Sequence, residues 1–375
     1  MRTSATRPPP KYSRVYSALR RDIESGRWRE DAKLPSEAEL VRQFAVSRIT
    51  VTRAMKELQA AGLVQRIAGS GTFVKRARTT LGRSFGLLIP DLGETEIFEP
   101  ICQGMMASPL ARDHALVWAS AASEASSKEA HALSLCRQYI ERGVAGVFFA
   151  PVELTPAKDE VNRRILRALD AARIPVVLLD RPVVPYPETS RHDLVGIDNR
   201  RAGYVITEHL LNLGCRRLAF VGAPNAAATV DSREAGFREA LYAHQVRCGR
   251  ASLQRLDPDD LEAVRKLLES ARPDGIVCAN DRTAGRLLHS IRHLRLRVPH
   301  DIRLVGIDDV EYARLLPVPL STLRQPTHQI GDLALSLMLE RIARPNLPPR
   351  EVRLGCELIV RESCGVSLAR RRRAA

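Results

Sequence analysis

Acidic and amide residues recur directly after short apolar runs: Asp91, Asp180, Asp198 with Asn199, Asn280 with Asp281, and Asp308 with Asp309. Such side chains accept and donate hydrogen bonds, so several of them converging could hold the vicinal hydroxyls of a small polyol. Arg233 opens a helix-like stretch, and its planar guanidinium could fork onto two oxygens. Phe98, in a loop-to-helix region, could stack against the apolar face of a sugar ring. Each Asp or Asn alone also reads as the N-cap of the next helix. Their recurrence at equivalent places favours a polar cleft.

A second set lies near the N-terminus. Ser47 and Arg48 precede a stretch in which Ile49, Thr52, Arg53 and Lys56 share one helical face, and Val51, Ala54, Met55 and Leu58 share the opposite one. The apolar face must pack inward, leaving a face of arginine, threonine and lysine. Arg48 or Arg53 could grip a guanine edge with two hydrogen bonds, and Ile49 could touch a thymine methyl. Lys56, Arg66 and Lys75 suit phosphates.

Other chemistry is less promising. His289 and His293 have the four-residue spacing of a metal pair on a helix, but no acidic or cysteine partner accompanies them, so no metal is expected. The seven cysteines are scattered without a Cys-x-x-Cys pair and read as small buried apolar residues. Phe148, Phe149 and Trp118 lie in or beside apolar runs and read as core.

The elements that must position these residues follow from pattern. Val15, Leu19 and Ile23 place a helix over Tyr12–Ser25, stopped at Gly26. Ser36 and Glu39 form a capping box for a second helix reaching Phe44. After the turn at Ala45 and Val46, Ser47 caps a third helix to Ala61, ended by Gly62. Leu63–Ile67 and Thr72–Lys75 alternate as a hairpin around Gly69, Ser70 and Gly71. Two helices, a tight turn and a hairpin make a winged helix-turn-helix.

The longer remainder alternates apolar runs with amphipathic stretches. Strands are expected at Phe85–Pro90, Leu116–Ala119, Val144–Ala150, Pro175–Leu179, Leu194–Ile197, Leu218–Val221, Ile276–Ala279 and Leu304–Ile307. Helices are expected near Pro100–Leu110, Glu129–Glu141, Glu160–Ala171, Gly203–Leu213, Ser232–Leu241 and Thr283–His293. Repeated βα alternation implies parallel sheets covered on both faces, with ligands at the carboxyl ends of the strands. About 280 residues suit two lobes better than one. The expected fold is α/β: an N-terminal winged helix-turn-helix plus a two-lobed, parallel-sheet domain. The expected divisions are a head at 1–76, a linker at 77–83, a body at 84–367 and a basic tail at 368–375.

Composition agrees with that division. The 375 residues are 45% hydrophobic and 27% charged, which excludes disordered and collagen-like classes. Residues 1–78 hold 17 Lys/Arg against 7 Asp/Glu, and Arg370–Arg373 are consecutive, while everything between carries 37 basic against 36 acidic residues. A basic head on a neutral body is the layout of a protein that docks one end on a polyanion. The chain has no apolar run of spanning length and no signal-peptide core at its N-terminus, so no membrane partner and a cytoplasmic location are expected.

Leu34-Pro-Ser-Glu-Ala-Glu-Leu40, Val46-Ser-Arg-Ile-Thr-Val51 and Gly69-Ser-Gly-Thr-Phe-Val74 together resemble the winged helix-turn-helix of the GntR regulator family. The resemblance implies DNA contacts by Ser47, Arg48 and Thr50 and by the wing residues Gly69 and Gly71. Thr52 stands where that family usually has arginine, with Arg53 beside it. Ser36, Ile49, Thr52, Arg53 and Lys56 complete the DNA-facing set. Leu179-Asp-Arg181, Val195-Gly-Ile-Asp-Asn199, Arg233-Glu-Ala-Gly-Phe237, Cys278-Ala-Asn-Asp281, Val305-Gly-Ile-Asp-Asp309 and Leu320-Ser-Thr-Leu-Arg-Gln-Pro326 are similar to the effector domain of LacI/GalR regulators. That resemblance implies a two-lobed, parallel-sheet, periplasmic-binding-protein-like body in which Asp180, Arg233, Asn280 and Asp308 line an effector pocket; Phe98 is the aromatic candidate from its own place in the loop-to-helix region.

The combination implies a sequence-specific regulator of transcription. A repressor is expected, binding double-stranded operator DNA as a homodimer and controlled by a sugar or related polyol. A nucleoside or another hydroxyl-rich metabolite is the alternative effector. A fusion to an aminotransferase-like domain would need a Schiff-base lysine. The body offers only Lys128, Lys158 and Lys266, in helix-like polar contexts, and no nucleotide or hydrolase motif, so neither catalysis nor a cofactor is expected.

Overall fold

The computed structural model describes residues 11–24, 28, 32–60, 63–67, 70–74, 82–90, 96–118 and 127–367. The expected helix stops at Gly26 and Gly62, the wing residues Gly69 and Lys75, Asp91, most of the linker and the Arg370–Arg373 tail lie outside them. The chain divides into two compact units, Met1–Arg83 and Ser84–Ala375.

The first unit contains α1 (Lys11–Glu24), α2 (Glu37–Phe44), α3 (Arg48–Ala60), β1 (Val64–Ile67) and β2 (Gly71–Val74). Ser36 and Glu39 form the reciprocal capping box, with the Ser36 amide donating to Glu39 Oε2 at 2.7 Å. Ala45 closes α2 in the left-handed conformation (φ 50°), which turns the chain sharply into α3. Val51, Ala54 and Leu58 are fully buried against Val15, Leu19 and Leu40. Antiparallel β1 and β2 pair Val64 with Val74 and Ile67 with Gly71. Backbone bonds from Leu34 to Thr72 (2.8 Å) and from Val74 to Ala32 (2.9 Å) tie this hairpin to the segment before α2.

The second unit has two lobes whose sheets share the same strand order. The first sheet is formed by β3 (Ser84–Leu88), β4 (Ala115–Val117), β5 (Gly146–Phe149), β6 (Val176–Leu179), β7 (Asp193–Ile197) and β13 (Glu351–Leu354), in the order β4-β3-β5-β6-β7-β13, all parallel. The second comprises β8 (Leu218–Gly222), β9 (Leu253–Arg255), β10 (Gly275–Cys278), β11 (Arg303–Asp308), β12 (Ser321–Arg324) and β14 (Glu357–Ile359), in the order β9-β8-β10-β11-β12-β14. Only its last pair is antiparallel. Both orders reverse direction after the first strand. A crevice opens at that point beyond the carboxyl ends of the strands.

Helices α4 (Phe98–Ala107) and α11 (Thr327–Ala343) pack together in the first lobe, and α7 (Asn199–Asn212) and α8 (Ala228–Ala243) do so in the second. One apolar core runs beneath these pairs through both lobes. Separate cores lie under α5 (Lys128–Glu141) with α6 (Lys158–Ala171), and under α9 (Leu261–Ala271) with α10 (Asp281–His293). The chain passes between lobes three times, at Asp198, at Gln325–Pro326 and at Gly355–Cys356.

The eight expected strands of the body correspond to β3–β8, β10 and β11. The additional β9, β12, β13 and β14 are short, and three of them are polar edge strands with little apolar run to detect. Helix α11 is apolar around much of its girth because it is packed between β5–β7 and α4, so no single stripe marks it. Helix α9, not among the expected helices, carries a regular apolar stripe. Phe148 and Phe149 are core, but Trp118 is 61% exposed, because it follows the edge strand β4. Cys248 is also exposed, unlike the buried Cys136, Cys215, Cys278 and Cys364.

Candidate DNA interface and effector cleft

The first turn of α3 presents its residues outward. Ser47 Oγ accepts the Thr50 amide at 3.4 Å and lies 2.9 Å from Thr50 Oγ1, capping the helix. The Arg48 side chain is 84% exposed and Ile49 is 82% exposed. An exposed isoleucine beside an arginine leaves an apolar side chain free to meet a thymine methyl. Arg53 is more constrained: its guanidinium lies 3.9 Å from the Tyr12 ring centroid, and its Nε is 3.5 Å from Glu57. Lys56 is exposed on the same face. Ser36 is engaged in its capping box.

Glu37 carries no sequence pattern that marks it as part of this face. From the first turn of α2 it accepts the Thr52 hydroxyl at 3.2 Å and stands 3.7 Å from Arg48 and 3.6 Å from Arg66 on β1. One carboxylate therefore links the recognition helix to the wing. Gly71 adopts φ +126°, a conformation open to glycine, and a Cβ there would strike the Lys33 side chain.

In the second unit, the carboxyl ends of both sheets bring charged groups together. Asp180 follows β6 with φ 67°, and Asp308 ends β11 with φ 133°. Such conformations are rare for non-glycine residues and cluster at functional sites. Arg233, only 4% exposed, donates from Nε to Asn199 Oδ1 at 2.8 Å and from Nη1 to the Ala279 carbonyl at 2.6 Å. The same Nη1 lies 3.8 Å from Asp308, which accepts Gln325 Nε2 at 2.7 Å. Arg181 pairs with Glu153, places Nε 3.3 Å from Asp180, and lies 5.3 Å from the centroid of the Phe98 ring.

Phe98 is fully buried beneath that guanidinium, so Arg181 rather than open space occupies the ring face. Asn280 caps α10 by accepting the Thr283 amide at 2.8 Å, next to the carbonyl that Arg233 engages. Asp281 is buried, accepting Thr322 Oγ1 at 2.6 Å and the Val310 amide at 3.2 Å.

Burial pushes the Asp180 and Asp308 carboxyls up, against the pull of Arg181 and Arg233 on the first and of Arg233 on the second. Burial works in the same direction on Glu153, but Arg181, the Ala227 amide and Arg233 outweigh it and hold that carboxyl low. Two buried side-chain oxygens in the cluster, Asp180 Oδ1 and Gln325 Oε1, have no hydrogen-bond partner. The lobes also meet directly: the Ala227 amide donates to Glu153 Oε2 at 3.1 Å, and the Leu154 amide to the Asn225 carbonyl at 2.9 Å. A cavity of about 730 Å³ opens on the Asp308 and Gln325 side, and one of about 640 Å³ on the Asp180 and Asn199 side.

The sequence-derived Phe98, Asp180, Arg233, Asn280 and Asp308 thus lie in or beside one cluster. Glu153, Arg181, Asn199 and Gln325 were not in that set. Arg181 adjoins Asp180 in the chain and Gln325 stands at the second lobe crossing, whereas Glu153 carries no local signal. Among the described residues no group of three or more His, Cys, Asp or Glu could hold a metal. The His289 and His293 rings lie 4.3 Å apart, with His293 Nδ1 3.1 Å from the His289 carbonyl oxygen. No helix among the described residues is long and apolar enough to cross a membrane.

A winged helix-turn-helix together with a two-lobed body around a charged cleft defines a DNA-binding transcriptional regulator with an effector domain. Residues 11–74 match the family described as "Bacterial regulatory proteins, gntR family", and residues 207–364 match "Periplasmic binding protein-like domain". The chain belongs to these GntR-headed regulators with a LacI/GalR-type body. It is 30% identical over 366 residues to the arabinose metabolism transcriptional repressor of Geobacillus stearothermophilus, covering 94% of this chain and 97% of that one. The ribose operon repressor of Halalkalibacterium halodurans is 24% identical over 280 residues, 74% of this chain and 78% of the relative. A LacI family regulator from Enterococcus faecalis V583, solved with bound ribose, superimposes with a TM-score of 0.61 at 25% identity, covering 75% of this chain and 98% of that one.

Proposed function

We propose that the chain is a repressor whose grip on a two-fold symmetric operator is controlled by a sugar, with five-carbon sugars foremost. In this reading residues 1–76 read DNA and 84–367 sense the sugar, joined by the 77–83 linker. The working form is a cytoplasmic homodimer, and no catalytic step is involved. Arg48, Ile49, Arg53 and Lys56 face the operator, with Ser47, Thr50 and the wing glycines at the backbone. Asp180, Arg181, Arg233, Asp308 and Gln325 hold the effector. The observation that carries the reading is the convergence of these five polar side chains, from both lobes, at the carboxyl ends of two sheets. Relatives named for arabinose and ribose support the choice of sugar.

The test is fluorescence anisotropy of the full chain on duplex fragments flanking its own gene, titrated with L-arabinose and D-ribose. One fragment should bind in preference to random duplex, and one pentose should release it. Because both are binding equilibria, operator must weaken that pentose's affinity by the same factor. Absence of any preferred fragment would sink the proposal.

A further inference from the structure

A carboxylate stands among the cations of the DNA-reading face. Glu37 opens α2, its side chain is 22% exposed, and both its oxygens are engaged. Oε2 accepts the Thr52 hydroxyl at 3.2 Å and lies 3.7 Å from Arg48 Nε, while Oε1 lies 3.6 Å from Arg66 Nη1. Thr52 brings a hydroxyl and no charge, so the negative charge is left to the two guanidiniums. Both arginines reach outward past it, with side chains 84% and 66% exposed. The cap of α2 does not need Glu37, because Ser36 and Glu39 supply it.

A negative charge on a surface that meets phosphates opposes binding, since it repels the duplex and competes for the arginines. Its placement gives that opposition a direction. Arg48 is approached through Nε, which leaves its two terminal nitrogens for another partner, and that end of the fork matches guanine O6 and N7. A guanidinium held in this way can meet a base edge without leaving the carboxylate. To clasp a phosphate beside the groove, Arg48 or Arg66 must give up Glu37. The penalty therefore falls on backbone-only binding and spares base reading. We infer that Glu37 is a specificity-determining residue that positions Arg48 and Arg66 and weakens binding to random duplex more than binding to the operator. This inference rests on the operator-facing role proposed for Arg48 and adds to it the group that disciplines that arginine.

The test compares the full chain with Glu37→Gln by fluorescence anisotropy at several salt concentrations. The probes are the preferred fragment flanking its own gene and a shuffled duplex of equal length. Glutamine keeps an oxygen for the Thr52 hydroxyl and removes the charge. Glu37→Gln should bind the shuffled duplex about three- to tenfold more tightly, because two half-exposed ion pairs, each worth up to about fivefold, are released. The slope of log K against log salt should steepen by about 1, as one more phosphate is neutralised. The preferred fragment should gain less, so that the ratio of the two affinities falls at least about threefold. In an Arg66→Gln background the same change should yield a smaller gain on the shuffled duplex. Equal weakening on both duplexes with a lower Tm would make Glu37 merely structural and overturn the inference. An unaltered ratio and slope would overturn it too, as would a changed preference at one base pair with unaltered shuffled-duplex affinity, which would make Glu37 itself a base contact. Arg48→Ala separates the two readings: if it weakens the preferred fragment, these adverse outcomes leave the role of Arg48 standing, and if it leaves both duplexes at parental affinity, both readings fall.

Discussion

Arg48 and Ile49 are the two most outward-facing residues at the start of the recognition helix, and their roles differ in kind. A guanidinium that grips a base edge should matter to sequence discrimination, whereas one that meets phosphate should matter to all duplexes equally. Arg48→Ala is expected to weaken operator binding by about 1–3 kcal/mol and to relax specificity at one base pair. Arg53, drawn toward Tyr12 and Glu57, is expected to act on phosphate: Arg53→Ala should weaken specific and random duplex alike and lower the salt slope by about 1. Anisotropy titrations at several salt concentrations measure both, and the opposite pattern would exchange the two assignments. In the cleft, burial raises Asp180 and lifts Asp308 from 3.8 to about 8. Hydroxyl donors favour the ionised forms, so effector binding lowers these values and releases protons. Affinity should therefore rise with pH between the ordinary aspartate value and about 8, by at most about tenfold per unit for each group. Calorimetry in two buffers of different ionisation enthalpy reads the released protons directly; proton uptake would contradict the sign. At this scale the sequence was legible where a residue sits in a patterned place, as Asp180 and Asp308 do at strand ends and Arg233 does within a helix-like stretch. Glu37 and Glu153 were not legible, because each works through partners distant in the chain.

Both lobes use one device to hold the helices that frame the cleft. In the second, α7 and α8 cross at Gly203 and Gly236, where a Cβ would collide with the carbonyl oxygens of Arg233 and Arg200. In the first, α4 and α11 cross at Gly104 and Gly331, where it would collide with those of His328 and Ile101. Close crossing at Gly203 sets the backbone of Arg233, and so the reach of its guanidinium to Asn199 and Ala279. Gly203→Ala is expected to push α8 away, with a stability loss of about 1–3 kcal/mol by overpacking. It should cost far more in sugar affinity than in effector-free operator affinity. Denaturation and anisotropy together decide this, and equal loss of both would mean general misfolding. The same physics explains which elements could be read in advance. Central strands such as β5 and β6 are uninterrupted apolar runs because both faces are covered. Edge strands β9, β13 and β14 gain their conformation from a neighbour's backbone, which no local pattern records. The apolar girth of α11 reflects burial on several sides, and becomes intelligible only once the three lobe crossings are known.

In the proposed reading the decisive equilibrium is between open and closed lobes of the effector-binding body. Glu153 stands across it: one carboxylate oxygen pairs with Arg181 of its own lobe, while the other accepts the Ala227 amide where α8 begins in the opposite lobe. The adjacent Leu154-to-Asn225 backbone bond forms on the same side and must break with it on opening. A hydrogen bond to a charged group is worth about 1.5–3 kcal/mol against about 0.5–1.5 kcal/mol for a neutral one, so Glu153→Gln, which keeps an accepting oxygen, should lower the closed-to-open ratio by about five- to tenfold. A ligand that binds only the closed form loses apparent affinity by the fraction that remains competent. Glu153→Gln is therefore expected to raise the apparent Kd for the proposed sugar effector by up to that factor, and to require correspondingly more of it to shift operator binding. Operator binding without sugar should stay as tight as in the parent chain or become tighter, because the DNA-reading unit is intact and the sugar-favoured state is depleted. Hydrogen exchange adds a local reading: the Leu154 and Ala227 amides should lose protection in Glu153→Gln, while amides in the β5 and β10 cores keep theirs. If the variant retains parental sugar affinity and parental protection at both amides, closure is held elsewhere and Glu153 merely shields Arg181.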